Sequence, residues 1–354
     1  MVNLKKIIIT TFIYSLLFSG CTYVIKPENI HSSASHSSGE IFIYGEFHGI
    51  KKIKDKELEL WGDYYTNHGL RHLFLELPYY TAEFLNIWMQ SEDDDILNKI
   101  YEDWNGVKHR NPSMKEFYVE IKKLYPETIF HGTDVGHQYR STGKRYLNYL
   151  SQHNMKNSLQ YKCTKEAIKQ GKYYNRKDDD VYREIMMVAN FIREFNMLEN
   201  ESIMGIYGSA HIGINSMNHS NSVPSMANQL HKIYANHLLT NDLSYLKDIP
   251  IRTDSIQING YNYEASYFGS KNMKGFKDFA YREFWRLEGV YNKFKKSPKT
   301  GNVLPYNKYP MKIVTGQVFV IDYVKTDSTV AREFHRSDGR SRNNRPVTNE
   351  FIIK

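Results

Sequence analysis

Four short apolar runs, separated by stretches with helical spacing, constrain this 354-residue chain more than any other feature. Ile41–Tyr44, Leu73–Leu75, Thr128–Gly132 and Ile203–Tyr207 have the length and the branched or aromatic content of buried strands. The segments between them repeat apolar residues at three- and four-residue intervals. Lys54–Tyr65 does so with Leu58, Trp61 and Tyr65, and Ser113–Tyr125 with Met114, Phe117, Ile121 and Leu124. Tyr80–Met89 follows Pro78, a residue suited to a first helical turn, and Lys144–Leu150 and Leu159–Lys169 add two further helices. Asp178–Leu198 reads as a long amphipathic helix opened by three aspartates, whose charge suits a helix start. Strands alternating with helices require crossovers, so the prediction is an α/β fold with a mostly parallel central sheet flanked by helices. After Ile214 the character changes. Ile256–Tyr263, Gln317–Tyr323 and Phe351–Ile353 predict a C-terminal β-rich extension, with a helix over Phe276–Phe294. The expected organisation is an α/β domain over residues 40–250 and a C-terminal α+β subdomain over 251–354.

The first residues follow another logic. Lys5 and Lys6 precede the apolar run Ile7–Phe18, then Ser19-Gly20-Cys21. A basic start, a short apolar stretch and small residues before a cysteine form a secretion signal, and the run falls short of the roughly 20 apolar residues of a membrane-spanning helix. The pattern resembles a bacterial lipoprotein signal. It implies a leader over residues 1–20, acylation (palmitate) of Cys21, a tether over 21–39, and a protein anchored to the extracytoplasmic face of a cell membrane. With Cys21 acylated, Cys163 has no partner for an intramolecular disulfide. The net charge is +8. Without Lys5 and Lys6 it is +6, with a denser patch at Arg332, Arg336, Arg340, Arg342 and Arg345. No nucleic-acid-binding motif accompanies it, and attraction to an anionic membrane surface accounts for the excess more simply.

Chemistry-bearing residues collect where the predicted strands end. Gly45-Glu46-Phe47-His48 and Gly208-Ser209-Ala210-His211 each deliver a histidine three residues after a glycine that ends a strand. If the first strand persists, Glu46 and His48 share a face by its two-residue period, and a carboxylate beside an imidazole suits a general base. Glu76 follows an apolar run where an unpartnered carboxylate would be costly. Asp134, with His137 just beyond, follows the third strand in the same way. Arg183 and Glu184 open the long helix, where a guanidinium could meet a developing oxyanion. Side-by-side strands would bring His48 and His211 to one crevice at the carboxyl edge of the sheet, where α/β folds place their ligands.

These residues carry a resemblance. Gly45-Glu46-Phe47-His48-Gly49 is similar to the Gly-Glu-x-His-Gly motif of the erythromycin esterase-like family. Glu76, Arg183-Glu184-x-x-Met187 and Ala210-His211 resemble that family's later motifs in order, over residues 40–215. The wider superfamily includes TraB/Tiki-type proteases and ChaN-type haem-binding lipoproteins. The resemblance implies hydrolysis of an ester or amide in a small molecule or peptide, with no cofactor required. His48 would be the general base, assisted by Glu46 and Glu76, with Arg183 and His211 on the carbonyl oxygen; Asp134, His137 and Glu184 are secondary candidates. Alternatives are a divalent metal (Zn, Mn or Co) on His48, Glu76 and His211, a haem or iron carrier, and a non-catalytic surface binding protein. The chain lacks His-Glu-x-x-His, Gly-x-Ser-x-Gly and phosphate-loop motifs.

Overall fold

The computed structural model describes residues 39–104, 111–273, 275–342 and 345–353, and Cys21, the leader and nearly all of the tether lie outside them. Contacts divide the chain into two compact units: the residues up to Glu46 with Glu57–Asp242, and Phe47–Lys56 with the residues from Leu243 onward.

The first unit is built on a five-stranded, wholly parallel sheet. Its strands are β1 (Ile41–Glu46), β2 (His72–Pro78), β3 (Ile129–Asp134), β4 (Ile203–Gly208) and β5 (Leu238–Asp242), in the order β3-β2-β4-β1-β5. β2 and β4 are buried along their whole length, as central strands covered on both faces should be, whereas the edge strand β5 is largely exposed. Helices α1 (Lys51–Asn67), α2 (Tyr79–Met89), α3 (Asp95–Asp103), α4 (Pro112–Leu124), α5 (Lys144–Gln152), α6 (Leu159–Lys177), α7 (Asp180–Phe195) and α8 (Met226–Tyr234) occupy the intervals. Several starts are local chemistry. The Asn111 side chain accepts the Met114 N–H with Pro112 next in line, Ser158 caps α6, Asp179 caps α7 and Ser225 caps α8. Asp178, left-handed at φ 50°, ends α6 and turns the chain straight into α7. Met187, Val188, Phe191 and Phe195 of α7 pack with Met226, Ala227 and Leu230 of α8 against Ile41, Ile43, Phe74, Ile203 and Tyr207. Burying a Phe side chain completely, as at Phe191, stabilises the fold by about 2–3 kcal/mol.

The second unit is antiparallel. Its strands are β6 (Arg252–Ile258), β7 (Tyr261–Asn272), β8 (Phe279–Leu287), β9 (Lys299–Pro305), β10 (Val318–Lys325), β11 (Val330–Arg336), β12 (Ser341–Arg342) and β13 (Arg345–Phe351). The order is β12-β13-β11-β10-β8-β7-β6, with β9 paired to β13. Two apolar clusters, one with Tyr267, Trp285 and Val320 and one with Phe284, Phe319 and Ile321, line the sheet's two faces. The α/β core and β-rich extension expected from sequence are therefore both present. The helix expected over Phe276–Phe294 is not. That segment is β8, hydrogen-bonded between β7 and β10, followed by one helical turn α9 (Tyr291–Phe294). Because both faces of β8 are covered, its apolar residues do not alternate cleanly, and the sequence period misleads. Among the described residues no helix is long and apolar enough to cross a membrane.

Candidate functional site at the carboxyl rim of the parallel sheet

The first unit's strands deliver their polar residues to one edge. Glu46 ends β1 opposite Gly208 at the end of β4, and Asp134 ends β3 opposite Pro78 at the end of β2. Glu76 lies two residues before that end, and His211 closes the single helical turn that follows β4. The adjacency of β1 and β4 expected from sequence holds, with Ile41 opposite Ile203. Gly45 accepts no side chain without moving Ile212, which follows His211.

α7 supplies the connecting groups. Arg183 Nε donates to Asp134 Oδ1 at 3.0 Å, while Nη2 donates to Asp134 Oδ2 at 2.7 Å and to Glu76 Oε1 at 2.6 Å. The other Glu76 oxygen accepts the Gly208 N–H at 2.5 Å. Asp134 Oδ1 also accepts the Val135 N–H, and Oδ2 lies 2.9 Å from His137 Nε2. One residue along the helix, Glu184 grips His211. Its oxygens lie 2.8 and 3.0 Å from His211 Nδ1, and Oε1 accepts the Met226 N–H at the start of α8, where the helix dipole favours an anion. His211 Nε2 is 3.7 Å from Glu76 Oε1. The rim is thus one connected set: His137, Asp134, Arg183, Glu76, His211, Glu184.

Burial sets the electrostatics. Asp134 and Glu184 are 1% exposed, His211 5% and Glu76 8%. Burial alone would raise the Asp134 carboxyl, but the Arg183 guanidinium and then His137 hold it well below the usual carboxylate range. Burial opposes the charge on His211, yet Glu76 and Glu184 outweigh it and hold the imidazole above its ordinary value. Arg183 is raised well above its usual range, burial again being outweighed by Asp134 and Glu76. Of the two imidazoles, His137 is the more open, its side chain 32% exposed against 7% for His211.

Of the residues singled out by sequence, Glu76, Asp134, His137, Arg183, Glu184 and His211 form this network, and Glu46 ends the adjacent strand. His48 differs from expectation: β1 stops at Glu46, so His48 stands in the turn beyond and the shared strand face does not extend to it. By contacts it belongs to the segment Phe47–Lys56 of the second unit. Among the described residues no three His, Cys, Asp or Glu side chains converge to hold a metal ion. His211 Nδ1 is already committed to Glu184, and Glu76 to Arg183 and Gly208.

Sequence reasoning missed two features. The Gly208 and Met226 N–H groups that hold the carboxylates carry no side-chain signature. Away from the rim, His72 Nδ1 meets His131 Nε2 at 2.9 Å, with Glu201 3.0 Å from His72 and Glu194 3.2 Å from His131. Burial, and then His131, push His72 down. Strand pairing between β2 and β3 creates that contact, and nothing in the local sequence announces it.

No family model and no curated protein matches the chain. Solved structures similar to it include a succinoglycan biosynthesis protein at 12% identity, covering 57% of this chain and 65% of that one, with a TM-score of 0.44. The chain thus spans just under two thirds of that protein's length. A Bacillus cereus protein from structural genomics is 10% identical over 89% of this chain and 85% of its own, with a TM-score of 0.45. A mutant erythromycin esterase in its open conformation is 11% identical over 58% and 70%, with a TM-score of 0.43.

Proposed function

We propose that this chain is a hydrolase of ester or amide carbonyls, with its reacting centre at the rim around Glu76 and His211. One observation carries the reading: a buried carboxylate, Glu184, fixes the His211 ring through Nδ1 and leaves Nε2 facing a second carboxylate at the strand ends. A structural ion network needs no oriented imidazole of this kind, whereas acyl transfer does. A base takes a proton from water, and the hydroxide adds to the carbonyl carbon. The oxygen that gains charge receives a hydrogen bond from His211 Nε2–H, whose charged form Glu76 and Glu184 favour. On collapse, the leaving alkoxide or amine takes the proton back from the base. Arg183 positions Glu76 and Asp134 rather than reaching the substrate, since its Nε and Nη2 are held by those two carboxylates. His48 is proposed as the base, on the strength of the Gly-Glu-x-His-Gly motif, with Glu46 as its helper.

The N-terminal pattern Lys5-Lys6, Ile7–Phe18 and Ser19-Gly20-Cys21 supports acylation at Cys21 and anchoring on the extracytoplasmic side of a membrane. The test is turnover of a panel of aryl esters and peptides by the purified protein. The expected result is hydrolysis that falls to background in both His48→Ala and His211→Gln, without added metal or haem. No turnover by the parent protein, or full activity in both variants, overturns the reading. Turnover that needs zinc, manganese or cobalt would favour the metal alternative.

A further inference from the structure

We propose that the β12–β13 edge of the second unit is a docking surface for an anionic phospholipid membrane. Charge is divided unevenly along this chain. Residues 47–56 and 243–354 hold 24 basic and 12 acidic side chains, a net of +12, while the remainder hold 23 and 27, a net of −4. The positive excess of the whole protein therefore belongs to its antiparallel unit.

Within that unit the structure sorts the arginines. Arg332 forms a two-pronged pair with Asp322 at 2.7 Å for each contact, and Arg336 is buried against Asp338 and the Phe294 and Ser297 carbonyls. Both charges are spent internally. Arg340, Arg342 and Arg345 are exposed, and none forms an ion pair with an acid among the described residues. Arg342 stands directly opposite Arg345 across the β12–β13 pairing, a like-charge juxtaposition that destabilises a hairpin unless an anion lies over it. The fork of each guanidinium suits phosphate oxygens.

The surroundings favour a lipid surface over nucleic acid. One face of Tyr306 is already taken by the Arg345 guanidinium, 5.1 Å from the ring centre, and its hydroxyl accepts from Arg345 at 2.6 Å, so that face is closed to a stacking base. β9 and the residue after β13 instead expose Val303 and Ile352, aliphatic groups suited to a headgroup boundary. The choice of a membrane also rests in part on the proposed acylation of Cys21, and the experiment removes that dependence.

Full-length Cys21→Ala protein, which takes no acyl chain, is tested for co-flotation with vesicles of phosphatidylcholine, with and without phosphatidylglycerol. Binding should require phosphatidylglycerol and weaken as salt rises. Each arginine near an anionic surface contributes about fivefold, so Arg340→Gln/Arg342→Gln/Arg345→Gln should lower the partition coefficient about a hundredfold. The corresponding triple lysine variant should stay within a few-fold of the parent, and Arg342→Glu, at a position with no ion-pair partner among the described residues, should weaken binding alone. Equal binding to neutral vesicles, an unaffected triple glutamine variant, or tighter binding to duplex DNA than to the anionic vesicles would overturn the proposal. Loss of ester hydrolysis activity would leave it standing, and loss of vesicle binding would leave the hydrolase reading standing.

Discussion

Replacing Arg183 by Met should be among the most damaging single changes in the first unit. One guanidinium, 16% exposed, serves two carboxylates that are almost fully buried, Glu76 and Asp134. Removing one partner of a buried ion pair costs about 3–5 kcal/mol, because the surviving charge stays desolvated. Here two charges survive but share the loss, so the same range applies to the pair rather than to each member. For a unit of this size the loss corresponds to a fall in melting temperature of about 10 °C. Three of the four tryptophans, Trp61, Trp88 and Trp104, lie in this unit, so urea unfolding followed by tryptophan fluorescence reports mainly on it. The pH dependence gives a second signature. In the parent protein the Asp134 pKa is depressed, so its contribution is present above about pH 4, the ordinary carboxylate value, and is lost as pH falls through the lower folded value. In the variant, burial is left as the dominant influence and the pKa rises, so protonation relieves the strain and stability is regained as pH falls. The gap between parent and variant should therefore narrow from neutral pH toward pH ~4. A loss below about 1 kcal/mol, the worth of an exposed salt bridge, or a gap indifferent to pH, would refute the reasoning. Combining Arg183→Met with Glu76→Gln and Asp134→Asn should recover much of the loss, because the orphaned charges are gone.

Three further outcomes follow from the same geometry. Because the His211 pKa is raised, its stabilising contribution is complete below about pH 6.5 and is lost as pH climbs through the folded value; Glu184→Gln should flatten that alkaline decline in the unfolding free energy, and an unchanged slope would mean that the dyad does not hold the charge. Gly171 of α6 packs backbone to backbone on Gly136, between Asp134 and His137, so Gly171→Ala should cost about 1–3 kcal/mol in urea unfolding and perturb the NMR signals of His137; a neutral effect would show that the loop yields freely. Burial pushes the Cys163 thiol up to about 11, so alkylation at pH ~8 should be slow in the folded protein and rapid in urea; rapid native labelling would contradict its burial.

Much of the first unit could be read in advance because its determinants are local. Apolar runs of strand length, Asn111-Pro112, Ser158 and Asp179 at helix starts, and polar residues directly after strands are all contiguous patterns. They mark α4, α6, α7 and the rim residues Glu76, Asp134 and His211. Local pattern misleads where both faces of an element are covered. β8 forms where a helix is expected because Phe284 and Trp285 are buried on opposite sides, which erases the alternation that identifies a strand.

Residue type and position along the chain settled that Glu76, Asp134 and His211 would stand just beyond strands and that Arg183 and Glu184 would open a long helix, since each follows directly on a contiguous apolar or acidic pattern. The partnerships among them are a different matter. Arg183 lies 107 residues from Glu76 and 49 from Asp134 in sequence, and only the order β3-β2-β4-β1-β5, with α7 laid against it, brings both carboxylates within 3 Å of the one guanidinium. The strength and direction of each charge depend on that assembly, because desolvation and counter-ions are properties of the folded interior and not of any segment. The same holds for the arginines near the C-terminus. Composition announced the cluster, but the register of β10 on β11 set Arg332 against Asp322 and the fold buried Arg336 beside Asp338, while Arg340, Arg342 and Arg345 stay exposed.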